Sequence, residues 1–332
     1  MAGGGSRRAW VRIRRHLRWA RNDGIGRLVE EDQLDPRARA KVRRDRRRWT
    51  AAHPGIAPNA MAVFLVGVQR SGTNMLVRGF ETSPSFDVCN ENDARAFVRF
   101  RLRPVPDLRE LIASNDHRAV LLKPLAESHR IVELLDGLGT PTAPRAIWAY
   151  RGVDGRVRSA VAKFGPNNLL ALRAIAEDRH DRDWSVDGPA QEIVDTIRDG
   201  LSGANLELVR SFDYDRLDAA AGAALFWYVR NSLYFELALH ARDDVVLSSY
   251  DSMVANPEPT MRTLCRFLAH PFSEDLIAHV DTRSAMPPRV TLPDEIRRRC
   301  DELEIRLAVA VDEKARRLRA EALDDPSDPM PA

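Results

Sequence analysis

Lysine is nearly missing from this chain: of its 51 basic residues, four are lysines and 47 are arginines. Cysteine is scarce too. Cys89, Cys265 and Cys300 are widely spaced and odd in number, which argues against a disulfide framework and a cysteine-based zinc site and fits a reducing compartment. No apolar run approaches the roughly 18 residues of a membrane-spanning helix; the longest cover 61–66 and 223–229. Arginines follow Arg7-Arg8 where a secretion signal would have an apolar stretch, so a cytoplasmic location is expected. With 44 % apolar and 30 % charged residues, collagen-like and wholly disordered chains are excluded. At 332 residues there is room for one large α/β domain with decorations, or at most two domains.

The net charge of +3 conceals an asymmetry. Residues 1–50 hold 16 basic against 6 acidic side chains, or +10, so the remainder carries −7. The expectation is a basic helical arm over 1–58 and a mildly acidic body over 59–322, with a frayed tail at 323–332. Aromatic residues are sparse in the arm (Trp10, Trp19, Trp49), so no nucleic-acid partner is expected. A solvated helical prelude is the plain reading of the arm, and peripheral contact with an anionic membrane face is the other.

Strand-like runs alternate with helical patterns. Residues 62–68 (AVFLVGV) are nearly all apolar, as in a strand buried on both faces of a parallel sheet. Further strands are expected at 119–122, 146–150 and 245–248, with a weaker one at 86–89. Helices are expected at 72–81, 127–138, 153–164 and 257–268, the last opened by Asn256 and Pro257. A long helix is expected over 220–240, with Phe226, Val229, Leu233 and Leu237 facing inward. Between 165 and 219 the rhythm breaks into charge-rich, turn-rich sequence, read as a largely helical cap over the sheet's C-terminal edge. The fold class is α/β: a central parallel sheet flanked by helices, like that of the P-loop NTPases.

The chemistry-bearing segment leaves the first strand: Gly67-Val68-Gln69-Arg70-Ser71-Gly72-Thr73-Asn74. A buried strand that runs through small residues into a helix aims backbone N–H groups at one point, on the positive end of the helix dipole. Gly67 and Gly72 keep the spacing of GxxxxGK[ST], but Thr73 follows Gly72 where the lysine of a triphosphate-binding loop would stand. One cation and several hydroxyls suit a smaller anion, such as a single 5′-phosphate joined to sulfate. The alternative is a turn of purely structural use. The fourth strand repeats the pattern: Arg151 follows it, and Ser159 comes eight residues later in the next helix. Arg156 and Arg158, off the valine face of that helix, are expected in solvent.

In these residues the chain resembles sulfotransferases that use 3′-phosphoadenosine 5′-phosphosulfate (PAPS). Their 5′-phosphosulfate loop has the form [RK]SGT[TS], which Arg70-Ser71-Gly72-Thr73-Asn74 follows except at Asn74. Their 3′-phosphate motif is an arginine and a serine eight apart, like Arg151 and Ser159. Residues 249–257, with Asp251 in the acidic place, resemble a late element of the form YEDLxxxP. The resemblance covers roughly 60–285. It implies that residues 69–74 with Arg151 and Ser159 hold PAPS and that no metal is required.

The resemblance also implies charge stabilisation by Arg70 and by Lys123, which ends the third expected strand. Some relatives place a catalytic histidine two residues after such a lysine, where this chain has Leu125; others use a glutamate after the second strand, where Glu91 stands. Glu91 is the preferred base, with Asp93, Glu127 and His129 as alternatives, and a polar turn is the competing reading of residues 90–93. Trp148, Phe164, Trp227 and Tyr228 are candidates for adenine stacking or core, and Arg283 for a further phosphate contact. The expected acceptor is a sugar, glycolipid or other small polar hydroxyl compound. Two rival readings remain: an ATP-dependent small-molecule kinase of this fold, and a non-catalytic protein that binds anionic surfaces through its arm.

Overall fold

The computed structural model describes residues 36–55, 59–98, 100–139, 142–179, 191–282 and 288–324. Most of the arm, the tail from 325 and residues 283–287, including Arg283, lie outside them. The described residues 36–54, which include α1 (Pro36–Ala52), belong to one compact unit. The second unit begins at Gly55 and carries the sheet.

The chain of the second unit runs through β1 (Met61–Gly67), α2 (Thr73–Thr82), β2 (Phe86–Cys89), a small hairpin of β3 (Phe97–Val98) and β4 (Arg101–Leu102), then α3 (Val105–Ala113) and β5 (Ala119–Leu122). It continues with α4 (Ile131–Leu138), β6 (Arg145–Tyr150), α5 (Val153–Phe164), α6 (Asn167–Ala176), α7 (Gln191–Asp199) and α8 (Gly203–Arg210). The last elements are α9 (Ala219–Asn231), α10 (Leu233–Glu236), β7 (Val245–Ser249), α11 (Tyr250–Ala255), α12 (Pro257–Phe267) and α13 (Asp294–Asp324). Five strands form a parallel sheet in the order β2-β5-β1-β6-β7. This is the expected α/β class.

β1 lies at the centre, and all seven of its residues are buried. Ala62, Phe64 and Val66 pack on one face with Val157 of α5, Leu225 of α9 and Leu307 of α13. Met61, Val63 and Leu65 pack on the other with Leu76 and Phe80 of α2 and Leu264 of α12. A strand covered on both sides must be apolar throughout, which is why 62–68 reads as one uninterrupted run.

The structure departs from the sequence reading in several places. The helix expected over 220–240 stops at Asn231, and Ala238 takes a left-handed conformation (φ +53°). At the break, the Ser232 hydroxyl donates to Val229 O and accepts from Asn205 of α8. The helix expected from 127 starts as a 3-10 turn over Ser128–Arg130 and becomes α-helical at Ile131. α13, 31 residues long, was not foreseen. Arg156 is buried rather than solvated, because α5 is covered by α9 as well as by the sheet. Arg158 is exposed, as expected, and donates to Pro288 O.

Candidate active site

In a parallel sheet every strand ends at the same rim, and here four of the five strands deliver a candidate group to it and the fifth delivers an aromatic ring. Residues 69–74 leave β1, Glu91 leaves β2, Lys123 leaves β5, Arg151 leaves β6 and Tyr250 leaves β7.

The loop after β1 is shaped by close approaches. Gly67 has φ +123°, and a Cβ there would fall 2.2 Å from the carbonyl oxygen of Ala149 on β6. Gly72 has φ +83°, and its Cβ would strike the Tyr250 ring at 2.5 Å. Between them Arg70 is left-handed at φ +71°, a conformation that costs a non-glycine residue roughly 1–3 kcal/mol. Gly67 extends past the end of β5, so its amide lacks a strand partner on that side, and Ser128 Oγ accepts from it at 3.0 Å. Replacing Ser128 with Ala leaves that buried N–H unsatisfied. A loss of about 1–3 kcal/mol is expected in urea unfolding.

α2 begins at Thr73 with no side chain capping its N-terminus, so its first amides remain available to an anion. The Ser71 hydroxyl is buried and has no partner among the described residues. Arg70 Nε donates to Ser159 Oγ at 2.9 Å and so joins the loop after β1 to α5. Ser159 thus meets Arg70 rather than Arg151. The Arg151 guanidinium lies over the Tyr250 ring, 4.3 Å from its centroid, and against Gly155. Its backbone carbonyl accepts from Trp227 Nε1 at 2.8 Å.

The N-terminus of α5 differs from that of α2. Asp251 accepts from the Gly152 amide at 2.7 Å, and Glu304 of α13 accepts from the Val153 amide at 3.1 Å. Two carboxylates already satisfy this helix end, so its dipole is taken up by groups of the chain itself.

On the other side of β1, Lys123 Nζ donates to Asn74 Oδ1 at 2.7 Å. Asn74, the departure from the [RK]SGT[TS] pattern, thus ties the end of β5 to the first turn of α2. Lys123 is buried, and loss of water lowers its pKa, while the Glu91 and Glu81 charges push it back up. Glu91 is half-buried. Desolvation raises its pKa, against the opposing pull of Lys123 and of the Ala126 and Leu125 amides, which bond the carboxylate.

The other acid–base candidates are engaged elsewhere. Glu127 accepts from the Leu102 amide at 2.5 Å and pairs with Arg130 at 2.8 Å, fastening the β3–β4 hairpin. Asp93 is held by Arg95 at 2.7 Å. Burial, with Arg230, Arg130 and Arg101 nearby, pulls the His129 imidazole down to about 4, leaving it neutral and weakly basic. Leu125, at the place of some relatives' histidine, is buried apolar core.

Residues 62–274, from β1 to the turn beyond α12, match the sulfotransferase family. This chain belongs to that family. Among curated proteins none matches it. Family membership makes sulfuryl transfer the general chemistry of this chain. Of the aromatic candidates in this family member, Trp148 is core, with its Nε1 donating to Asn231 at 3.3 Å, and Trp227 is a strut beneath Arg151. Phe164 and Tyr228 are half-buried. No group of three His, Cys, Asp or Glu side chains suited to a metal occurs among the described residues, and no described helix is long and apolar enough to cross a membrane.

Sequence reasoning missed Arg156. Its guanidinium is fully buried directly below the β1 loop, with Nε on Gln69 O at 3.3 Å and Nη1 on Ala223 O at 2.6 Å. The available signal was the run of small residues at the start of α9, Ala219-Ala220-Ala221-Gly222-Ala223-Ala224, which leaves room for a large side chain from α5.

Proposed function

We propose that this chain transfers a sulfuryl group from PAPS to the hydroxyl of a sugar, glycolipid or other small polar compound. Residues 69–74 hold the 5′-phosphosulfate, and Arg151 with Ser159 holds the 3′-phosphate. The observation that carries the reading is the Arg70–Ser159 hydrogen bond, which ties the two anion-binding segments into one rim. The buried Ser71 hydroxyl, without a partner among the described residues, and the uncapped start of α2 suit an anionic group.

Glu91 takes the proton of the acceptor hydroxyl while that oxygen bonds to sulfur in line with the departing phosphate oxygen. Lys123 and Arg70 absorb the charge that grows on the leaving adenosine phosphate. The chemistry needs no divalent ion, and the loop lacks the lysine that spans the outer phosphates of ATP. The basic arm gives peripheral contact with anionic surfaces and takes no part in donor binding.

Calorimetric titration separates this reading from a kinase. Adenosine 3′,5′-bisphosphate is expected to bind equally with and without Mg²⁺, and ATP to bind far more weakly. Tight, Mg²⁺-dependent ATP binding would overturn the assignment. Release of sulfated product from labelled PAPS then identifies the acceptor.

A further inference from the structure

Arg156 is a cation sealed inside the protein with no anion beside it. It is fully buried, and among the described residues no carboxylate lies within ion-pair distance. Its contacts are two backbone carbonyls and the face of Phe226, 5.2 Å from the ring centroid. Its Nη2 has no hydrogen-bond partner among the described residues. Burial, with the like charge of Arg70 acting in the same direction, holds the guanidinium well below its usual range, although still protonated at neutral pH. Removing a charge from water is costly unless an opposite charge compensates it, and among the described residues none pairs with Arg156.

The contact with Gln69 also has a geometric effect. In a planar trans peptide the C=O and the following N–H point in opposite directions. Arg156 draws the Gln69 carbonyl inward, so the Arg70 amide faces the opposite way, out of the core. A peptide free to turn over would present its carbonyl oxygen to an approaching anion and repel it. The left-handed Arg70 adjoins this peptide, and its side chain reaches Ser159, which lies on the same helix as Arg156.

We propose that Arg156 is a positioning residue for the donor: a buried countercharge to the anionic nucleotide that also locks the 69–70 peptide with its N–H outward. The inference rests on the reading of the rim as a nucleotide-phosphosulfate site. In this role Arg156 is a burden on the empty protein and a benefit to the complex, which distinguishes it from a residue that merely fills space.

The test compares the full-length wild type with Arg156→Met, similar in length and uncharged, and Arg156→Lys, which keeps the charge without the planar fork. Thermal midpoints are recorded with and without adenosine 3′,5′-bisphosphate, and its Kd is measured calorimetrically. The expected result is an unliganded Arg156→Met protein at least as stable as wild type, with Kd weakened at least about tenfold, the size of an ordinary charged hydrogen bond. Arg156→Lys falls between. Nucleotide affinity within about twofold of wild type in both variants overturns the proposal, as does an Arg156→Met protein destabilised equally with and without nucleotide. If Arg156→Met does not fold, Arg156→Lys decides by the same twofold criterion. A wild-type protein that binds no bisphosphate sinks the functional reading itself, and this inference with it.

Discussion

Replacing Glu91 with Gln is expected to lower kcat by about 10²- to 10⁴-fold, the usual contribution of a positioned general base, while adenosine 3′,5′-bisphosphate still binds. The amide occupies nearly the same volume and can still accept from the Leu125 and Ala126 amides that bond the carboxylate, so the loss is chemical and not structural. The pH profile makes the assignment sharper. In its proposed role Glu91 must be ionised, and burial raises its pKa, so turnover is expected to be lost as pH falls through a value above the ordinary carboxylate range. In its proposed role Lys123 must be protonated, and burial lowers its pKa, so turnover is expected to be lost again as pH rises through a value below the ordinary lysine range. The expected kcat profile is a bell with both limbs drawn inward, each belonging to the coupled pair rather than to one residue. Glu91→Gln should erase the acid limb. Survival of that limb at near-full activity would move the base elsewhere.

The second large effect is expected at Gly67. Alanine there must adopt φ near +123° and push its methyl to within 2.2 Å of Ala149 O, a backbone atom inside the central strand pair. Neither strand can retreat, since both are packed on each face. The expected loss is at least about 3 kcal/mol, combining backbone strain with overpacking. Urea unfolding should show a lower midpoint with an unchanged slope. An unchanged midpoint would mean that β1 and β6 diverge at their ends, and the loop after β1 would then lose its fixed origin.

How much of this was legible in the sequence depended on how local the cause was. β1 and β5 are short apolar runs, and α5 shows Val153, Val157 and Val161 at helical spacing, so both kinds of element were readable. The loop after β1 was readable because its glycines keep a recognisable spacing, although the contacts that demand them, Ala149 O and the Tyr250 ring, lie far along the chain. Arg156 was not, because its burial is decided by the small side chains of α9, more than 60 residues away. The engagement of Glu127 was hidden for the same reason: its partner amide belongs to Leu102, in a hairpin too short to leave a pattern. α13 did leave one. Ile296, Cys300, Leu303, Leu307 and Ala310 recur every three or four residues after Pro293, and that stripe is buried.

The carboxylate that Glu304 lends to the start of α5 sets an order of events during synthesis. Its partner amide at Val153 emerges 151 residues earlier, and the family-matching span closes at residue 274, well before Glu304 is made. A ribosome adding about 5–20 residues per second takes roughly 8–30 s to cover that interval. Until then the Val153 amide of the segment bearing Ser159 and Arg156 has no Glu304 carboxylate to bond. Translation products cut short before residue 304 contain every residue assigned to the donor, yet lack the clasp that secures this helix.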